Sequence, residues 1–197
     1  MTDRMATVQR ETKETRIELT LNLDGTGRSD IATGAGFFDH MLSHIARHGL
    51  LDLTIKASGD QHVDDHHLVE DVGIVLGQAL AQAVGDKRGI SRFGHALCPL
   101  DEALVGVALD LSGRSHLEYG LSFPTQKVGG FDTELFLEFF RALAANAAMT
   151  LHLWQQAGRN SHHIAESAFK SLGRALRMAV EADERQAGQV PSTKGVL

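Results

Sequence analysis

The chain has 197 residues, 43% hydrophobic and 22% charged, the balance of a globular protein able to bury a proper core. Its 19 Lys and Arg against 25 Asp and Glu give a formal net charge of -6, which argues against nucleic acid as a partner, and no apolar run approaches the ~18 residues that cross a bilayer. The polar start MTDRMATVQRETKET lacks the apolar stretch of a signal peptide, and Cys98, the single cysteine, permits no intrachain disulfide, so a cytoplasmic, reducing location is expected.

In chain order, residues 16–23 (RIELTLNL) alternate apolar and polar side chains, the period of a half-buried strand. Residues 37–47 read as a short helix, and 51–57 (LDLTIKA) as a second alternating strand. Leu68, Val72, Val75, Leu76, Ala79, Leu80 and Ala83 form an i, i+4, i+7 stripe, which makes this segment an amphipathic helix. The series then recurs as a strand over 103–111, a helix over 133–147 and a strand over 150–155. It closes on a helix carrying Ile164, Ala168, Leu172, Ala175, Leu176 and Ala179. The tail 189–197 is irregular, either a frayed end or a segment that closes over a ligand.

This recurrence is a duplication. Residues 64–84 match 160–180 at a constant offset of 96, with nine of the 21 positions identical. Composition alone predicts about one or two. A second echo relates 23–29 (LDGTGRS) to 109–115 (LDLSGRS), so the chain divides into halves 1–95 and 96–197. Strands alternating with helices in each half predict an α+β fold, a duplicated two-layer sandwich of sheet packed against helices.

The repeat carries His-His-x-x-Glu twice, as His66, His67 and Glu70 and as His162, His163 and Glu166. Residues i and i+4 share a helical face, so His66 with Glu70, and His162 with Glu166, can each chelate a cation. His67 and His163 point about 100° away and suit a second ion. Imidazole and carboxylate donors without thiolate fit manganese, iron or zinc. On the same face as His66 and Glu70, Gly73 and Gly77 permit close backbone approach, and Gly173 repeats Gly77. His40, His44 and His48 form a further i, i+4, i+8 stripe, a row of ligands or a polar face. Its second-half counterpart sets Glu138 opposite His40. Arg92, Arg114 and Lys194 stand beside Ser, Thr and Gly, the company a phosphate site needs, although each also reads as a solvated surface group.

The blocks TKET (12–15), LDGTG (23–27), FDHML (38–42), DDHHLVED (64–71), NSHH (160–163) and STKG (192–195) resemble, in order and nearly end to end, the imidazoleglycerol-phosphate dehydratase family of histidine biosynthesis. The resemblance implies two manganese ions per active site and a homo-oligomeric shell of 24 subunits. It further implies one ion on His66, Glu70, His162 and Glu166 and another on His40, His67, His163 and residue 138. Many members carry His at that last position, where this chain has Glu138. Glu14, Glu70 and Glu166 are the implied catalytic carboxylates, Glu14 being the acid/base. His40, His44, His48, Arg92, Arg114, Ser192, Thr193 and Lys194 join Glu14 as implied substrate contacts, with the basic and hydroxyl groups around the phosphate.

The chemistry is consistent with two metals. Binding lowers the pKa of water from 15.7 to about 7, and an imidazole held through both nitrogens can similarly become an imidazolate. The electron-rich ring then expels the adjacent hydroxide to give a diazafulvene-like species. Loss of the neighbouring proton yields an enol and then the ketone. A di-metal hydrolase and a non-catalytic metal-storage protein use the same ligands; the first predicts turnover of phosphate esters without imidazole, the second leaves Glu14 and the basic set idle.

Overall fold

The computed structural model describes residues 4–196; residues 1–3, which begin the polar start, and Leu197, which ends the tail, lie outside the described residues. β1 (Met5–Glu11) and β2 (Thr15–Asn22) form an antiparallel hairpin. On β2, Ile17, Leu19 and Leu21 are buried and Arg16 and Glu18 exposed, the alternation of a sheet with one covered face. β3 (Ser29–Ala32) leads through α1 (Gly36–Gly49) to β4 (Asp52–Gly59), which pairs parallel with β3 and antiparallel with β2. Parallel neighbours need such a crossover helix. α2 (His66–Val84) then lies across β1 and β2, completing a sheet of order β1-β2-β4-β3 with two helices on one face.

The second half repeats this plan. β5 (Phe93–Leu100) and β6 (Ala103–Asp110) form the hairpin, and β7 (His116–Gly120) is the parallel edge strand. After the short pair β8 (Lys127–Val128) and β9 (Phe131–Asp132) come α3 (Leu135–Asn146), β10 (Thr150–Ala157) and α4 (Ser161–Val180). The order β5-β6-β10-β7 reproduces the first sheet. Since β5 opens at Phe93, the second sheet starts within the last residues allotted to the first half.

Each half is a two-layer unit, and the helical layers of the halves face each other, α1 against α4 and α2 against α3. Phe38, Phe136, Phe139, Phe140 and Phe169 are fully buried, each burial contributing roughly 2 kcal/mol. Glycine sets the helix spacing. A Cβ on Gly73 or Gly77 would stand 2.8 Å from the carbonyl oxygen of Phe139 or Leu143, and one on Gly173 2.8 Å from that of Ile45. The close approach expected at Gly73 and Gly77 is therefore made by α3.

Two details differ from the sequence reading. The registers place Leu21 opposite Leu53 and Leu109 opposite Leu151, and the residues after α1 and α3, Leu50 and Ala148, share left-handed φ values of 52° and 49°. Leu109 is thus the counterpart of Leu21, and the echo 23–29/109–115 is two residues out of register. A shift of two preserves the inside–outside alternation, so residue similarity alone does not reveal it. The edge strands β1, β3, β5 and β7 also went unseen. β1 buries only Ala6 and Val8, and β5 turns its largest apolar side chains, Phe93 and Leu97, outward.

Candidate metal centre

Both His-His-x-x-Glu motifs open a helix. The Asn160 side chain caps α4 by accepting hydrogen bonds from the His162 and His163 N–H groups, and Asp64, just before the N-cap of α2, accepts one from His66 N–H. On α4, His162 Nε2 lies 3.0 Å from Glu166 Oε2. Across the helix contact, α1 adds His40 Nε2 at 3.3 Å from the same oxygen and His44 Nε2 at 3.4 Å from Oε1. One ligand atom from each of His40, His162 and Glu166 falls within 4.8 Å of the others, a donor set able to hold a cation. Lys170 donates to Glu166 Oε1 at 2.7 Å and leaves Oε2 to His40 and His162.

Burial alone would raise the Glu166 pKa, but the Lys170 and His162 hydrogen bonds and nearby His44 outweigh it and hold the carboxyl at about 2. Burial pushes His44 down to about 4, against the pull of Glu166. His48 is also lowered, by burial and by the positive charges of Lys170, Arg174 and Arg47. His44 is therefore folded in as a neutral ring. The unfolded chain takes up a proton there as pH falls below about 6.5 while the folded chain does not, so stability drops until pH reaches about 4. His44→Gln removes this dependence. Metal-free His44→Gln protein is expected to lose up to about 2 kcal/mol less than the parent between pH 7 and 5, read from urea unfolding. Identical acid sensitivity in the two proteins would show that His44 is not the group responsible.

Within a single chain, His66 and Glu70 do not stand beside His162 and Glu166. α4 packs on α1 and α2 on α3, so donors pair across those contacts and His40 joins His162 and Glu166. His66 instead lines a cleft of about 480 Å³ with Glu134 and Glu138 of the α3 region and Tyr119, Leu121 and Phe123 of the β7 side. Both Glu138 oxygens accept from Arg141, at 2.8 and 2.6 Å. Among the described residues, the His66 ring and the Glu70 carboxylate have no hydrogen-bond partner, which leaves both able to ligate.

His67 and His163 turn to other carboxylates. His67 Nδ1 is 3.0 Å from Asp60 and 3.8 Å from Glu14; His163 Nδ1 is 2.7 Å from Glu102. The hydrogen bond to Asp60 raises the His67 pKa, and the bond from His163 lowers that of Glu102 to about 2.

The phosphate candidates cluster at the opposite end of α4. Arg92 N–H donates to Ala179 O, and the Arg92 guanidinium binds Asp110 through two nitrogens and Pro191 O through the third, next to Ser192. Two of its five N–H groups remain for a ligand. Arg114 and Ser112 close a small turn nearby, and the tail is tied down through Gly188 to Arg88 and Gln189 to Gly89 before the exposed Thr193 and Lys194. Glu166 and Ala179 are 13 helical residues apart, roughly 20 Å.

Sequence reasoning missed Lys170, Asp60 and Glu102. Lys170 was within reach, since it extends the face of His162 and Glu166 by one turn. Glu102 follows from the hairpin equivalence, because Glu14 precedes β2 as Glu102 precedes β6.

The family described as imidazoleglycerol-phosphate dehydratase matches residues 33–176. The imidazoleglycerol-phosphate dehydratase of Granulibacter bethesdensis is 62% identical over 194 residues, covering 98% of this chain and 99% of that protein. That of Gluconacetobacter diazotrophicus is 63% identical over 196 residues, covering 100% and 99%. The crystal structure of the Staphylococcus aureus imidazoleglycerol-phosphate dehydratase superposes with a TM-score of 0.82 at 42% identity, over 90% of this chain and 99% of that one. The IGPD structure from Pyrococcus furiosus gives 0.84 at 39% identity, over 96% and 100%.

Proposed function

The chain belongs to the imidazoleglycerol-phosphate dehydratase family of histidine-biosynthesis lyases, and we propose that it converts D-erythro-imidazoleglycerol phosphate to imidazole-acetol phosphate with two manganese ions per active site. The observation that carries the metal dependence is the convergence of His40, His162 and Glu166 across two helices. Mixed imidazole and carboxylate donors without sulfur suit manganese. Glu138, His66 and Glu70 hold the equivalent positions on α3 and α2 in the duplicated fold, and with His67 and His163 they are the remaining candidate donors. Divalent cations held by these residues would draw electron density from a bound imidazole ring and acidify its N–H.

The chain's own groups account for the rest of the reaction. Loss of hydroxide from the carbon beside the ring and of a proton from its neighbour removes one water, leaving an enol that becomes the ketone. Glu14 takes that proton; its carboxylate is exposed at a hairpin tip beside His67. Lys170 keeps Glu166 charged, and His44 beside it helps aim the carboxylate at the site. Arg92, Arg114, Ser192 and Lys194 bind the phosphate, with Thr193 between them.

A phosphorylated imidazole of this size does not bridge roughly 20 Å, so the phosphate groups that serve one metal centre come from a neighbouring subunit. That supports a homo-oligomer, which we take to have 24 subunits and to reside in the cytoplasm; no described helix is long and apolar enough to cross a membrane. Purified, manganese-loaded protein is expected to turn imidazoleglycerol phosphate into the enolisable ketone, and absence of that product would sink the assignment. If metal links subunits, its binding free energy stabilises the particle. Sedimentation should then show a smaller species after chelation and the large one again on adding manganese at neutral pH. A metal-free particle of unchanged size would mean that packing alone holds it.

A further inference from the structure

The two hairpin tips occupy equivalent places in the duplicated fold and are used differently. Glu14 immediately precedes β2 and Glu102 immediately precedes β6, while His67 and His163 hold the same place on α2 and α4. Glu102 is fully engaged. One oxygen accepts the Arg159 and Asn160 N–H groups at 3.3 and 2.9 Å, and the other meets His163 Nδ1 at 2.7 Å. Glu14, by contrast, stops 3.8 Å from His67 Nδ1, beyond hydrogen-bond reach, with its side chain 55% exposed against 20% for Glu102.

The difference traces to a single residue. Asp60, directly after β4, reaches His67 Nδ1 at 3.0 Å and takes the place of the hairpin acid. The residue directly after β10 is Gly158, which has no side chain to offer, so Glu102 must do that work itself. Asp60 Oδ1 is buried without a hydrogen-bond partner among the described residues, a cost that packing alone gives no reason to keep.

We propose that Asp60 and Glu102 are positioning residues that hold the Nδ1–H of His67 and His163 and aim each Nε2 at a metal ion, and that Asp60 thereby leaves Glu14 free for proton transfer. An imidazole that donates through Nδ1 keeps its Nε2 lone pair for a ligand in a fixed direction, and loss of such a partner commonly costs 10–100-fold in metal affinity. The clause about Glu14 rests on the function proposed above; the positioning role does not.

Manganese titration of the full-length apo-protein, by calorimetry and by the spin-resonance signal of free Mn2+, tests this. Asp60→Ala and Glu102→Ala should each weaken binding about 10–100-fold. Asp60→Asn and Glu102→Gln, which keep an acceptor oxygen and guard against misfolding of the alanine variants, should recover part of the loss. Glu14→Gln should bind manganese as the parent does yet lose turnover. Unchanged manganese affinity in both alanine variants, with unfolding temperatures lowered or not, overturns the positioning role. Wild-type turnover in Glu14→Gln instead overturns only the acid/base reading, and the titrations still decide the role of Asp60 and Glu102.

Discussion

Glu166→Ala is expected to lower kcat/KM by on the order of 1000-fold or more, since a bound divalent ion supplies several kcal/mol of transition-state stabilisation. In the structure this carboxylate holds His162, His40, His44 and Lys170 in one cluster. Its removal takes away a charged donor and also leaves the Lys170 ammonium facing the ring nitrogens, where it opposes a cation. Both effects lower metal occupancy, so excess manganese should restore little activity. His62→Ala, on an exposed side chain outside the motif, is the control and should behave as wild type. Turnover within tenfold of the parent in Glu166→Ala, with verified substitution, would remove this cluster from the active site.

Mixing two disabled chains should restore activity. On the proposed function, Glu166→Gln disables the metal centre and Arg114→Ala removes a charged phosphate contact, at a cost on the order of 100-fold or more. The two positions lie toward opposite ends of α4, with Arg114 in the turn anchored by Ser112 beyond β6. If each active site draws its metal centre from one subunit and its phosphate groups from another, chelation, mixing and reassembly with manganese yield sites with both sets intact. Random pairing of equal amounts gives about a quarter of the parent activity from two nearly inactive preparations. A mixture that stays at the level of its components would place all these groups in one subunit and require a large rearrangement of the tail.

The core strands, the four helices and the doubled motif were legible because each has a strong local period: β2, β4, β6 and β10 alternate, and α2 and α4 repeat at one offset. The edge strands β1, β3, β5 and β7 were not, because edge strands bury little. Which donors meet within one chain was hidden for a different reason. Spacing shows that His162 and Glu166 share a face but not which helix lies across from it, and here that helix is α1 rather than α2. Asp60 and Glu102 sit in turns, where no periodicity marks them and only the fold brings them to a histidine.

The glycine contacts between helices work as calipers. His40 and Glu166 sit on α1 and α4, whose backbones meet at Gly49 and Gly173; Glu138 and His66 sit on α3 and α2, which meet at Gly73 and Gly77. Helices are stiff over a few turns, so the gap at the glycines sets the gap between the donors further along. The jaw width available to an ion is therefore gauged by residues that never touch it, and a methyl group added at either contact would open that jaw without altering any ligand.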